Sequence, residues 1–331
     1  GEWTLTVYAV SNEKPELLNE GHIAAEEQFV LQPYTFATTL PEGKIEIERG
    51  EGWIVAHNGV TGVQFSTRTG RLTDYVSDGR HIMRELPEPW FWRAMTDNDW
   101  GEGLQRTANV WRTNRRKALG ATIEKYDDRV VVKGKYYLVD APSEYTLTYT
   151  FMADGSLKVE VAWQRGEREL PELPRFGMRM ILPTDYKRFV YYGRGPWENY
   201  IDRCSGSMFG RYYTTIDDMF EPYPNPQSMG NREALRDLTL YTTGAAGRAG
   251  FRVEAQGQVA FSVLPYSDTD LKDAAHTWEL VRRGSTYAHF DYMQRGIGNG
   301  SCGKNTGTIG AYQIPSSGTY SHSLRFIPLV V

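Results

Sequence analysis

The sequence predicts an all-β protein made of large, packed antiparallel sheets. Short runs that alternate apolar and polar residues recur about every ten positions between Gly, Pro, Asn and Asp, and no regular helices intervene to make parallel crossovers. The composition agrees, with 9 Trp, 21 Tyr and 13 Phe beside 33 Gly and 16 Pro in 331 residues. Wide rings suit half-buried pleated surfaces, and Gly and Pro turn the chain between strands. At about 150 residues per domain, the length fits two domains or one large sandwich. The formal charge of −4, with no long basic block, argues against nucleic acid or an anionic membrane as partner. No apolar run reaches the roughly 18 residues of a spanning helix. Cys204 and Cys302 stand far apart and match no paired metal-ligand spacing, so neither a zinc site nor a disulfide scaffold is expected.

Taken in order, Trp3 to Val10 alternates as a strand, and His22 to Leu31 gives a second after a polar connection. Two strands bury no core of their own. Residues 1–33 therefore read as the edge of an incomplete sandwich, or as strands packed on the larger domain C-terminal to them. Residues 34–43, with Leu40-Pro41-Glu42-Gly43, read as a linker. From residue 44 to 331 the strand pattern is continuous. Residues 53–57, 62–66 and 72–76 form a meander that uses the Arg68-Thr69-Gly70-Arg71 turn. Residues 145–152 and 157–163 form the clearest hairpin, because Asp154-Gly155 supplies the positive φ that a tight turn requires. Further strands are expected at 129–138, 176–183, 187–193, 237–243, 250–255, 258–264, 286–292 and 321–330. The best helical segment is Ser267 to Trp278, where Asp268 or Thr269 would cap a turn holding Leu271, Ala274 and Ala275.

A retaining glycosidase needs two carboxylates about 5–5.5 Å apart. Asp97 and Asp99 offer one pair, and Glu198 and Asp202 another, yet such residues among Gly and Pro more often bond the backbone of their own loop. His276 or His289 with a carboxylate would suit the acid–base pair of a sugar mutarotase. Isolated histidines are more often structural. Trp90, Trp92, Trp100 and Trp111 crowd one stretch. Burial is the usual fate of such rings, and only the polar loop after Asp99 offers a platform for a sugar face. No H-E-x-x-H, G-x-S-x-G or Gly-rich phosphate loop is present.

These loops carry a resemblance. Phe91-Trp92-Arg93-Ala94-Met95-Thr96-Asp97-Asn98-Asp99, Tyr192-Gly193-Arg194-Gly195-Pro196-Trp197-Glu198-Asn199-Tyr200-Ile201-Asp202-Arg203, and Pro226-Gln227 with Gly230-Asn231-Arg232 succeed one another, as do Tyr266-Ser267, Asp270-Leu271, His276 and Gln294-Arg295-Gly296-Ile297-Gly298. Together they resemble the C-terminal region of the large bacterial β-galactosidases of glycoside hydrolase family 2. Gly21-His22-Ile23-Ala24 resembles the end of that family's fourth domain, an immunoglobulin-like sandwich.

The resemblance implies that residues 1–33 are terminal strands of that sandwich and that 44–331 form the last domain, a twisted antiparallel supersandwich related in fold to galactose mutarotases. It also implies that the acid/base and nucleophile glutamates, with their magnesium, belong to a separate TIM-type barrel. No catalytic residue, metal ligand or cofactor is expected on this chain. The implied partners are the remainder of a β-galactosidase chain or a large catalytic subunit, a galactoside such as lactose, and further copies in a homo-oligomer. Bacterial cytoplasm and periplasm both remain admissible.

Two segments are implied to reach substrate. One is the loop Asp99-Trp100-Gly101-Glu102-Gly103, where Gly101 is expected to allow movement. The other is Asn299-Gly300-Ser301-Cys302-Gly303, where Gly303 stands in the place of an aglycone-binding tryptophan found in some members. Ser228-Met229 likewise replaces the family's usual Glu-Asn. Two other readings compete: a stand-alone galactoside-binding module, and a mutarotase-like protein.

Overall fold

Alternating runs become strands wherever one face can be buried. The computed structural model describes residues 1–12, 16–36, 40–242, 250–303 and 307–329. Residues 37–39 of the expected linker, and residues 243 and 330 at the ends of two expected strands, lie outside the described residues. β1 (Trp3–Val10) and β2 (Ile23–Gln32) pair as a separate antiparallel ribbon. β3 (Glu46–Gly50), β4 (Trp53–His57), β5 (Thr61–Ser66), β6 (Leu72–Ser77) and β7 (Arg80–His81) form a five-stranded meander. β8 (Glu85–Trp90) leaves that sheet, and the short helices α1 (Asp97–Glu102) and α2 (Leu104–Thr107) come after it.

Next come β9 (Arg116–Lys125), β10 (Arg129–Leu138), β11 (Ser143–Met152) and β12 (Leu157–Arg165), a second meander. β13 (Arg175–Leu182) returns to pair with β8, and β14 (Tyr186–Gly195), β15 (Met208–Thr215), β16 (Asp237–Thr242) and β17 (Gly250–Ala255) build a further group. β18 (Ala260–Leu264), α3 (Asp268–Asp273) and β19 (Thr286–Gln294) complete a four-stranded sheet in the order β18-β19-β13-β8. β20 (Thr319–Leu329) then inserts between β17 and β12, which joins the two groups into a nine-stranded sheet, β15-β14-β16-β17-β20-β12-β11-β10-β9.

The two smaller sheets cover one face of the large one. Along β11, Tyr145, Leu147, Tyr149 and Phe151 are buried while Thr146, Thr148 and Thr150 between them are half-buried. Phe65 of the five-stranded sheet meets Tyr149 with ring centroids 5.4 Å apart, and Phe176 and Phe261 of the four-stranded sheet meet Tyr320 at 5.8 Å and Tyr191 at 5.0 Å. Each such ring removes about 150–250 Å² from water, which makes this aromatic seam a principal source of cohesion. The fold is the all-β antiparallel sandwich that the sequence predicts.

The structure corrects the α3 expectation. The helix runs only from Asp268 to Asp273, and its cap is Ser267 rather than Asp268 or Thr269. Ser267 Oγ accepts the Asp270 N–H at 3.1 Å while the Asp270 carboxylate accepts the Ser267 N–H at 3.0 Å. This reciprocal box fixes the start one residue early.

Candidate functional site

Two segments far apart in sequence interlock at one end of the sandwich. The first is the turn from Arg93 into α1. Thr96 caps the helix, accepting the Asp99 N–H at 3.2 Å, while the Asp99 carboxylate accepts the Thr96 N–H at 3.0 Å. Asp99 is fully buried and receives a two-pronged contact from Arg93, Nε at 3.1 Å and Nη2 at 2.8 Å. Arg93 also donates to the carbonyls of Arg295 and Gly296. A buried arginine is tolerable here because its charge is matched and its planar donors are used.

The second segment, Gln294 to Cys302, is threaded against the first. Asn98 Nδ2 donates to the Gly298 carbonyl at 2.7 Å, and Asn98 Oδ1 accepts from Ser301 N–H at 3.0 Å and Ser301 O–H at 2.6 Å. Arg295 pairs with Glu102 at 2.8 Å and with Glu172 at 3.0 Å. Gly101 faces the Gly300 carbonyl so closely that a Cβ on Gly101 would lie 2.2 Å from that oxygen. In this structure the segment expected to move is a helical turn packed on its neighbour, and Gly101 supplies the space for that contact.

The four sequence-predicted carboxylates are all engaged by protein partners. Asp97 exchanges bonds with Gln227, and Asp202 accepts the N–H groups of Ile297 at 3.0 Å and Gly298 at 2.8 Å. Glu198 accepts from Arg203 at 2.8 Å, from the Tyr223 hydroxyl at 2.6 Å and from the Gly230 N–H at 2.7 Å. Asp99 bonds the backbone of its own turn, as expected of such residues, whereas Asp97, Glu198 and Asp202 tie their loops to other segments of the chain. Of the two histidines, His289 is buried beside Arg175 and Asp268, and burial lowers its pKa well below the ordinary value. His276 is exposed, stacked on Trp278 at 4.2 Å and paired with Glu279 at 3.0 Å.

Trp92 and Trp111 are core residues, and Trp90 is half-buried with its N–H on Asp268 at 2.9 Å. Trp100 alone of the four is open, at 49% exposure. Cys302 and Gly303 are exposed as well, and a Cβ on Gly303 would meet nothing within 4 Å. Among the exposed rings that the sequence reading does not single out are Trp197 at 73% and Trp278 at 79%. Tyr223 joins their loops, since its hydroxyl donates to Glu198 and its carbonyl accepts from Thr277 at 2.6 Å. Cavities of about 390, 550, 550 and 260 Å³ are lined by residues outside α1 and the 294–303 segment. Among the described residues no three His, Cys, Asp or Glu side chains converge as a cation site. No helix among them is long and apolar enough to cross a membrane.

Behind this surface lies a buried polar chain. Gln294 donates to Asn231 at 2.9 Å, and Asn231 donates to Glu233 and to the Asn199 carbonyl, each at 2.8 Å. Burial raises the Glu233 pKa from 4.5 to about 7, although the Asn231 bond pulls it down. The unfolded chain loses this proton near pH 4.5 while the fold keeps it until about pH 7, so stability falls as pH rises between those values. The loss is about 3 kcal/mol. Glu233→Gln keeps the Asn231 bond and is expected to flatten that part of the urea-midpoint profile. Equal slopes in the two proteins would contradict this assignment.

The family model described as beta galactosidase small chain matches residues 57–326. The beta-galactosidase of Halalkalibacterium halodurans is 30% identical over 261 residues, covering 77% of this chain and 26% of that protein. That of Priestia megaterium is 27% identical over 336 residues, covering 99% and 32%, and that of Lactobacillus delbrueckii subsp. bulgaricus is 32% identical over 304 residues, covering 90% and 29%. The chain therefore spans about a quarter to a third of the length of these relatives.

Proposed function

The chain belongs to the beta galactosidase small chain family, and on that basis we propose that it completes the substrate pocket and the assembly of a retaining β-galactosidase acting on terminal β-D-galactosides such as lactose. The catalytic glutamates and their magnesium lie on a barrel domain, supplied by the same polypeptide or by a large subunit. The observation that carries this reading is the clamp between α1 and residues 294–303, which holds the exposed Trp100 on a surface that a facing domain would convert into a pocket. Asp99 and Gly101 act by positioning that turn, and Trp100, Cys302 and Gly303 face the sugar. The site is preorganised by a rigid support.

The β1–β2 ribbon supports the assembly part of the proposal. Leu5, Val7, Phe29, Val30 and Leu31 are each about half exposed or more. The ribbon meets the large sheet mainly through Gln28, bonded to the Phe209 backbone at 2.7 and 3.0 Å, and through Glu2, paired with Arg236 at 2.9 Å. Residues 1–33 then form the edge of an immunoglobulin-like sandwich whose other strands cover these side chains, 34–43 link it, and 44–331 form the small-chain domain.

Saturation kinetics of the complete enzyme test the site. Trp100→Ala removes an apolar platform and is expected to raise KM for a chromogenic galactoside about fivefold to tenfold with kcat little changed. Gly101→Ala forces the two segments apart and is expected to lower kcat/KM by about tenfold or more. Wild-type constants in both variants would remove this surface from the site.

A further inference from the structure

Strand β14 opens on a cavity that the galactosidase reading does not use. Tyr186 and Phe189 are both buried although they stand three residues apart, where strict alternation would send one of them outward. The register against β16 explains it: Tyr186 faces Thr242 and Arg188 faces Tyr241, so Lys187 is an extra, bulged residue. A bulge re-aims side chains and leaves two neighbours on the same side of the strand. Here the neighbours are Lys187 and Arg188, and both line the cavity of about 390 Å³ together with Thr184, Ser285 and Thr286.

The chemistry of the lining is that of an oxyanion site. The one acid in the wall, Asp217, is already paired with Arg282 at 2.7 Å. Lys187 and Arg188 have no ion pair or side-chain hydrogen bond among the described residues. Two like charges held side by side repel unless an anion sits between them. Ser285 Oγ accepts from Arg84 at 2.9 Å, which leaves its hydrogen free to donate to a ligand. Tyr186, Ile216 and Pro265 add an apolar wall, and the volume exceeds that of a bare phosphate. We propose that this cavity binds the phosphate group of a small phosphate ester, clamped by Lys187 and Arg188, with the carbon skeleton against the apolar wall. It lies at the opposite end of β14 from Gly195 and the Trp197 loop, about 30 Å along the strand.

Titration calorimetry of the 331-residue chain at constant ionic strength tests the proposal, with glucose 6-phosphate, inorganic phosphate and glucose as probes. Glucose 6-phosphate is expected to bind and glucose to give no heat. Lys187→Ala and Arg188→Ala are each expected to weaken binding about tenfold or more, with the thermal midpoint unchanged because both side chains are exposed. Inorganic phosphate binding more weakly than the ester supports the carbon-body contact. Absence of binding by either phosphate probe, equal heat from glucose, or full binding by the double variant would overturn it.

Discussion

Replacing Arg93 with methionine is expected to lower the unfolding free energy by about 3–5 kcal/mol, read from the denaturant midpoint. The side chain is fully buried and serves three partners: the Asp99 carboxylate and the carbonyls of Arg295 and Gly296. Methionine fills much of the volume but leaves Asp99 as a buried charge whose nearest remaining cation is Arg295 at 3.5 Å. It also takes a donor from the Arg295 and Gly296 carbonyls; Gly296 keeps the Thr308 hydroxyl at 3.0 Å, and the unmade bond at Arg295 adds its own desolvation cost. The double variant Arg93→Met/Asp99→Asn removes the uncompensated charge while keeping an acceptor for the Thr96 N–H. It is expected to be less damaged than the single variant, and that sign of coupling marks a buried pair rather than general packing loss. A single variant within about 1 kcal/mol of the parent would mean that the two segments are held together by something else.

How far this arrangement is legible in the sequence depends on where each element sits. Strands inside the sheets, such as β11 with Tyr145, Leu147, Tyr149 and Phe151 turned inward, bury a full face and write a clean period of two. The strands that escape are β3, β7, β8, β9 and β15, and each is the edge of its sheet. An edge has one neighbour and carries the features that blur the pattern. β8 reads Glu85-Leu86-Pro87-Glu88-Pro89-Trp90, and its prolines are tolerated because no further strand asks for their missing N–H groups. α1 escapes for a different reason. At six residues it is too short to show a helical period, and its one signal is the Thr96-x-x-Asp99 capping box, which also reads as a loop.

The site divides in the same way. Asp99, Trp100, Gly101, Cys302 and Gly303 are named from resemblance, and the structure brings the 99–101 turn against Gly300 and Ser301, next to Cys302. No spacing rule could have joined positions some 200 apart in sequence. The exposure of Trp197 and Trp278 is equally hidden, because tryptophan is usually buried and only tertiary packing shows which rings the core leaves out. Glu198 and Asp202 look like a catalytic pair in sequence. Their partners show them as loop organisers, with Asp202 holding the backbone of Ile297 and Gly298 in place beneath the surface.

If this chain shapes a β-galactosidase pocket whose chemistry is performed on another domain, the purified 331-residue chain is expected to release no chromophore from a chromogenic β-galactoside above the buffer rate. The same chain joined to, or mixed with, a barrel-containing polypeptide of this family is expected to show enzymatic turnover, a difference of about a millionfold or more. Substantial turnover by the isolated chain would contradict that division of labour, because it would place the acid and the nucleophile among the residues described above.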